Sequence, residues 1–144
     1  MKMETKKKKL ETYDLMIGDL VRSQEGICRV QEIGLDTSFC IMETCKSVIK
    51  YLRKGEYEGI ELNESILIDN GFKRIDDDNL GITYVLSCDD HEICIIDNRI
   101  SVTSVQNEQR GMVALCILPK YVHEFQNLLR LYGHRDLANN FTVK

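Results

Sequence analysis

The chain has 144 residues, room for one ordinary domain or for two small ones that share a core. Apolar residues make up 43% and charged residues 29%, which argues against wholesale disorder, and no window approaches the roughly 18 apolar residues that a membrane helix needs. Five of the 19 Lys and Arg fall in the first nine positions, whereas the sequence from Leu10 onward carries 14 basic and 22 acidic residues, an acidic body that repels the phosphates of duplex nucleic acid.

The chain opens MKMETKKKKLETYDL, basic residues leading into polar ones with no apolar run behind them. That is not the pattern of a secretory signal, and the expected location is cytoplasmic. Residues 1–11 read as a flexible basic tail, with Lys6–Lys9 a solvated terminus that could touch an anionic partner. Six cysteines follow (Cys28, Cys40, Cys45, Cys88, Cys94 and Cys116), most beside Ile, Val or Leu. In a reducing compartment these are thiols that pack as small apolar side chains.

Residues 13–60 read as short strands. "YDLMIGDLV" places a Gly-Asp turn between two apolar pairs. "EGICRVQEIG" alternates through Cys28 and Val30 and then slips at Ile33, which predicts a bulge. "SFCIME" and "SVIKYL" are two more strands, "RKGEYEG" is a loop, and "IEL" is a further strand. Four or five short strands in about fifty residues fold most economically into a small bent barrel.

"LNESILIDNGF" predicts a two-turn helix capped by Asn63 and ended by Gly71. From Phe72 to Leu118 strands return: "GITYVLSC", "HEICIID", "NRISVTSV" and "MVALCIL". The run Asp76-Asp77-Asp78 reads as a solvated turn, since it lacks the alternating ligands of a calcium loop. Cys88-x-x-His91-x-x-Cys94 supplies three soft metal ligands but no fourth nearby, so a hairpin turn over Asp89-Asp90 is the simpler reading.

"YVHEFQNLLRLYG", residues 121–133, predicts the last helix, with Pro119 in its first turn and Gly133 as its stop. At about 100° per residue, Tyr121, Val122, Phe125, Leu128, Leu129 and Tyr132 form an apolar stripe expected to cover the second sheet. His123, Gln126, Asn127 and Arg130 fall on another side, and Leu131 points away from both. His123-Glu124 begins like a zinc-protease motif, but Asn127 stands where the second imidazole is required. No metal or other cofactor is expected, and no nucleophile elbow or Gly-rich phosphate loop is present.

"LMIGDLV", "EG…V…I", "IELNESILIDNGFKR" and "YVHEFQNLLRLYG" together resemble a family of small uncharacterised proteins of gut anaerobic bacteria, their prophages and mobile elements. Leu62, Glu64, Ile66–Ile68, Gly71 and Phe72 carry the middle motif. Tyr121, Val122, His123, Gln126, Asn127 and Leu128 carry the last. The resemblance implies an α+β chain: an SH3-like β-barrel over 12–62, then a short helix, an antiparallel sheet and a C-terminal helix over 63–144. It implies no activity.

Three functions remain to be weighed. The leading expectation is a non-enzymatic protein- or peptide-binding module, in which His123, Gln126, Asn127 and Arg130 are either structural glue or a recognition surface. The second is single-stranded nucleic-acid binding through the barrel and the tail. "KSVIKYLRKGEY" supplies Lys46, Lys50, Tyr51, Arg53 and Lys54, with Tyr13, Phe39 and Tyr57 as further rings. The third is an enzyme with His123 as general base, which requires an orienting partner and a dry pocket.

Overall fold

The computed structural model describes residues 15–33, 39–44, 47–53, 55–88, 91–106 and 109–144, with the backbone alone at 39–41, 104–106 and 109–115. The basic tail, Tyr13, Lys46, Lys54 and the Asp89-Asp90 turn lie outside the described residues. The chain is α+β and divides into two compact units. One comprises Met1–Glu61 with Lys120–Lys144, the other Leu62–Pro119. The reading of 12–62 and 63–144 as consecutive lobes therefore differs from the observed division in one respect: the C-terminal helix groups with the first sheet.

The first unit holds β1 (Leu20–Ser23), β2 (Gly26–Ile33), β3 (Phe39–Thr44), β4 (Ile49–Arg53) and β5 (Tyr57–Glu58), ordered β4-β3-β2-β1-β5 and antiparallel throughout. The register shift between Val30 and Glu32 is the bulge expected in β2. The strand β5 lies inside the segment read as a loop, and "IEL" contributes only an isolated bridge, Glu61 to Tyr121. Alternation sends Val21, Cys28, Val30 and Met42 to one face, where they pack with Leu15 and Tyr57 as a buried core flanked by Ile33 and Leu52.

The second unit begins with α1 (Glu64–Asp69). Asn63 Oδ1 accepts the Ile66 N–H at 3.0 Å. At the other end the Gly71 and Phe72 N–H groups reach the carbonyls of Ile68 and Leu67, the left-handed stop expected at Gly71, whose φ is +96°. β6 (Lys73–Asp77), β7 (Gly81–Cys88), β8 (His91–Ile96), β9 (Arg99–Gln106) and β10 (Gln109–Ile117) form a meander in that order. The rows Leu86–Ile93–Val102 and Tyr84–Ile95–Ile100 share a face, and its isoleucines and valine are buried, as are Ile66, Leu67 and Phe72. Asp76 and Asp77, read as part of a turn, are strand residues, and only Asp78 is in the turn.

Two further helices complete the first unit, α2 (Val122–Leu131) and α3 (Arg135–Asn139), the second of which has no clear signal in the sequence. Tyr121 is the N-cap of α2, so Pro119 precedes the helix and does not sit in its first turn. Gly133 stops it as expected, at φ +86°, with the Gly133 and His134 N–H groups on the carbonyls of Arg130 and Leu129. Val122, Phe125 and Leu129 are buried, and Phe125 meets Phe141 edge-on at 5.6 Å. Leu131 is 75% exposed.

Candidate functional site

The polar side of α2 turns inward. His123 and Gln126 are 1% and 0% exposed, so this side of the helix is buried along with the apolar stripe. Gln126 satisfies its amide completely within the first unit. Its Oε1 accepts the Leu20 N–H at 2.9 Å, and its Nε2 donates to the carbonyls of Gly18 at 3.0 Å and Ala138 at 2.8 Å. One side chain thus ties the start of β1, the turn before it and α3 to the middle of α2.

One turn further along α2, Arg130 Nη1 bonds Asp19 Oδ1, in a pair whose side chains are 9% and 0% exposed. The same Nη1 donates to Asn127 Oδ1 at 2.6 Å, and Nε donates to Asn139 Oδ1 at 3.2 Å. The other Asp19 oxygen accepts the Met16 N–H at 2.8 Å, folding residues 16–19 into a turn that also carries the Asp19 N–H to Met16 O bond. Burial pushes the Asp19 carboxyl above the usual aspartate range, and the hydrogen bonds from Arg130 and Met16 pull it partly back. Gly18 is obligatory here. Its φ is +95°, and a Cβ would lie 2.9 Å from Asn139 Oδ1 and 3.0 Å from Arg130 Nη2.

Arg29, on β2, closes the network from the sheet side. Its Nη1 donates to the carbonyls of Gly18 at 2.8 Å and Asn139 at 2.7 Å, and its Nη2 to Phe141 at 2.5 Å. Burial, and then the neighbouring Arg130 charge, lower its pKa. Asp19 and Arg29 were not singled out in the sequence. Alternation marks Arg29 as facing away from the core, but partners 110 and 112 residues distant leave no local trace. Next to this network lies a cavity of about 320 Å³ lined by Leu20, Ile27, Cys28, Arg29, Glu43, Thr44, Thr142 and Val143. Its charged groups are already engaged: Arg29 by the carbonyls above, and Glu43 by Gln31 at 3.1 Å.

His123 stacks on Tyr121 with ring centroids 5.9 Å apart. It is buried against that ring and is not part of the lining of the 320 Å³ cavity. The Cys88/His91/Cys94 run is split by its strand geometry. Cys88 and His91 are directly paired and share a face, and residue 94, three further along β8, points to the other. Among the described residues no three His, Cys, Asp or Glu are grouped to hold a metal ion.

Residues 49–53 of the basic and aromatic segment form β4, one of the two edge strands of the first sheet. Alternation puts Ile49, Tyr51 and Arg53 on one face and Lys50 and Leu52 on the other. Lys50 pairs with Glu25 at 2.9 Å, and of the interleaved cations the two described ones, Lys50 and Arg53, lie on opposite faces. Val48, Ile49 and Tyr51 are 46%, 60% and 56% exposed, an apolar edge on an otherwise acidic chain. The hairpin into β4 is closed by Thr44 N–H on the Val48 carbonyl at 2.8 Å. Counting in twos from that pair, Ile49 and Tyr51 turn their backbone amides away from β3. Arg53 does likewise, but its N–H is taken by Glu56 Oε1 at 3.3 Å. No known family, curated protein or solved structure matches this chain.

Proposed function

We propose that the chain is a non-enzymatic binding module whose first sheet is SH3-like and takes an extended peptide as a sixth strand beside β4. The observation that carries this reading is the edge position of β4 together with the exposure of Val48, Ile49 and Tyr51. Strand addition draws affinity from main-chain hydrogen bonds and selectivity from alternate side chains, and β4 offers an outward amide at Ile49 with an apolar flank. The order β4-β3-β2-β1-β5, a meander whose last strand returns beside the first, supports the SH3-like reading. On this view His123, Gln126, Asn127 and Arg130 hold the unit together, and recognition occurs elsewhere.

The test is selection of ten-residue peptides from a random display library, followed by amide mapping. Binders are expected to perturb and protect the Ile49 amide. The variant Ile49→Pro removes an outward N–H without touching the β3 ladder, so it should stay folded and lose binding. Binders that map away from β4, or bind Ile49→Pro undiminished, sink the proposal. The competing ligand is single-stranded nucleic acid, since Tyr51 and Arg53 share a face. A low-salt titration with oligothymidylate that shifts those two residues favours it over a peptide.

A further inference from the structure

Strand β6 ends the second sheet, and all five of its residues are exposed. Its sequence is Lys73-Arg74-Ile75-Asp76-Asp77. Laid antiparallel beside a copy of itself with Ile75 at the centre, this strand matches at every position. Lys73 faces the partner's Asp77, Arg74 faces the partner's Asp76, and Ile75 faces the partner's Ile75, and the two-fold axis repeats each pair.

The backbone has the right phase for the same pairing. The hairpin from β6 to β7 turns through residues 78–80 and re-enters at Gly81, whose φ is +78°. In a three-residue loop of that kind Asp77 and Gly81 form the closing bonded pair. Counting back in twos, Ile75 and Lys73 direct their amides at β7, and Arg74 and Asp76 direct theirs outward. A two-fold pairing centred on Ile75 joins those outward groups: Arg74 and the partner's Asp76 exchange N–H and C=O, as do Asp76 and the partner's Arg74. The central Ile75 pair then occupies the closer, non-hydrogen-bonded spacing, where apolar side chains meet best.

Side chains on both faces agree. Arg74 is held along its strand by Glu64 Oε1 at 2.7 Å and Asp76 Oδ1 at 3.1 Å, beside the position where the partner's Asp76 arrives. On the opposite face Ile75, 49% exposed, lies between Lys73 and Asp77. Charges on an edge strand ordinarily repel other strands. This order of charges still repels a strand of different pattern or register, yet complements its own copy. The geometry points to a homodimer in which β6 pairs antiparallel with β6 of a second copy, joining two five-stranded sheets into one of ten strands.

The test is sedimentation of the full chain over a concentration series. The natural chain is expected to approach twice its 16.7 kDa mass, and to dissociate as salt is raised. Lys73→Glu and Asp77→Lys each set like charges opposite one another twice and should weaken the dimer by about tenfold or more. An equimolar mixture of the two restores opposite signs at both contacts and should re-form it. Asp77 Oδ1 also accepts the Asn79 and Leu80 amides at 2.8 and 3.1 Å. Ile75→Lys therefore serves as a variant outside that turn, and it places two like charges at the axis. A natural chain that stays monomeric at its highest soluble concentration overturns the proposal. So do Lys73→Glu and Ile75→Lys chains that associate as tightly as the natural one.

Discussion

Asp19 and Arg130 form an ion pair at 0% and 9% side-chain exposure, where desolvation offsets much of the attraction between them. Removing one partner strands the other charge, so Arg130→Ala is expected to cost about 3–5 kcal/mol in a urea titration. Replacing both at once, with Asp19→Leu and Arg130→Met, should recover most of that loss, because neither charge is then buried. The pH dependence follows from the raised Asp19 carboxyl. Just above the ordinary aspartate range the folded chain binds a proton that the unfolded chain has released, so this group lowers stability as pH rises through that window. Asp19→Asn should remove that part of the fall from a stability-against-pH profile. A variant profile with an unchanged slope there would assign the fall to other carboxylates.

Gln126 acts on whole elements, because its three hydrogen bonds join α2 to β1, to the turn before β1 and to α3. Gln126→Leu leaves the Leu20 N–H buried without a partner, at about 1–3 kcal/mol before any relaxation, and takes one donor each from the Gly18 and Ala138 carbonyls, which keep those of Arg29 and Phe141. The Leu20 amide should exchange with deuterium markedly faster in the variant, and an unchanged rate would place the anchor elsewhere. The sequence located α2 itself well, since a 3.6-residue apolar stripe and a stop glycine are local signals. It did not reveal which sheet the helix covers, because an apolar stripe carries no address, and the two sheet-side partners of Gln126 lie 106 and 108 residues away. The candidate glue residues were legible as a group, yet Asp19 and Arg29, which complete the network, looked like an ordinary turn and strand residue. Strand β6 was missed for a related reason: both its faces are exposed, so the burial alternation that marks a strand never forms.

On the scale of the whole molecule, the second unit is an insertion. The chain leaves the first unit at Glu61 and returns at Lys120. These two points are held side by side by the Glu61–Tyr121 bridge, by the Val122 N–H on the Ile60 carbonyl at 2.8 Å, and by Gly59, where a Cβ would lie 2.9 Å from the Tyr121 ring. Bridged residues are about 5 Å apart, so a few glycines can replace residues 62–119. The excised chain is expected to keep the dispersed amide spectrum of the first unit. A chain ending at Glu61 should not, because it lacks Phe125, Leu129, Gln126 and Phe141. If the 61-residue fragment folds as well as the excised chain, the insertion reading fails.

That return has a consequence during synthesis. The leading strands leave the ribosome long before the segment that seals them, whereas residues 62–119 can collapse as soon as they emerge. The later module thus matures first, and Leu20 and Asp19 must wait, wetted and unmatched, until residues 120–144 are released. Sequence separations above one hundred are slow to close, and the waiting sheet is the stage at which a holdase would find most to grip.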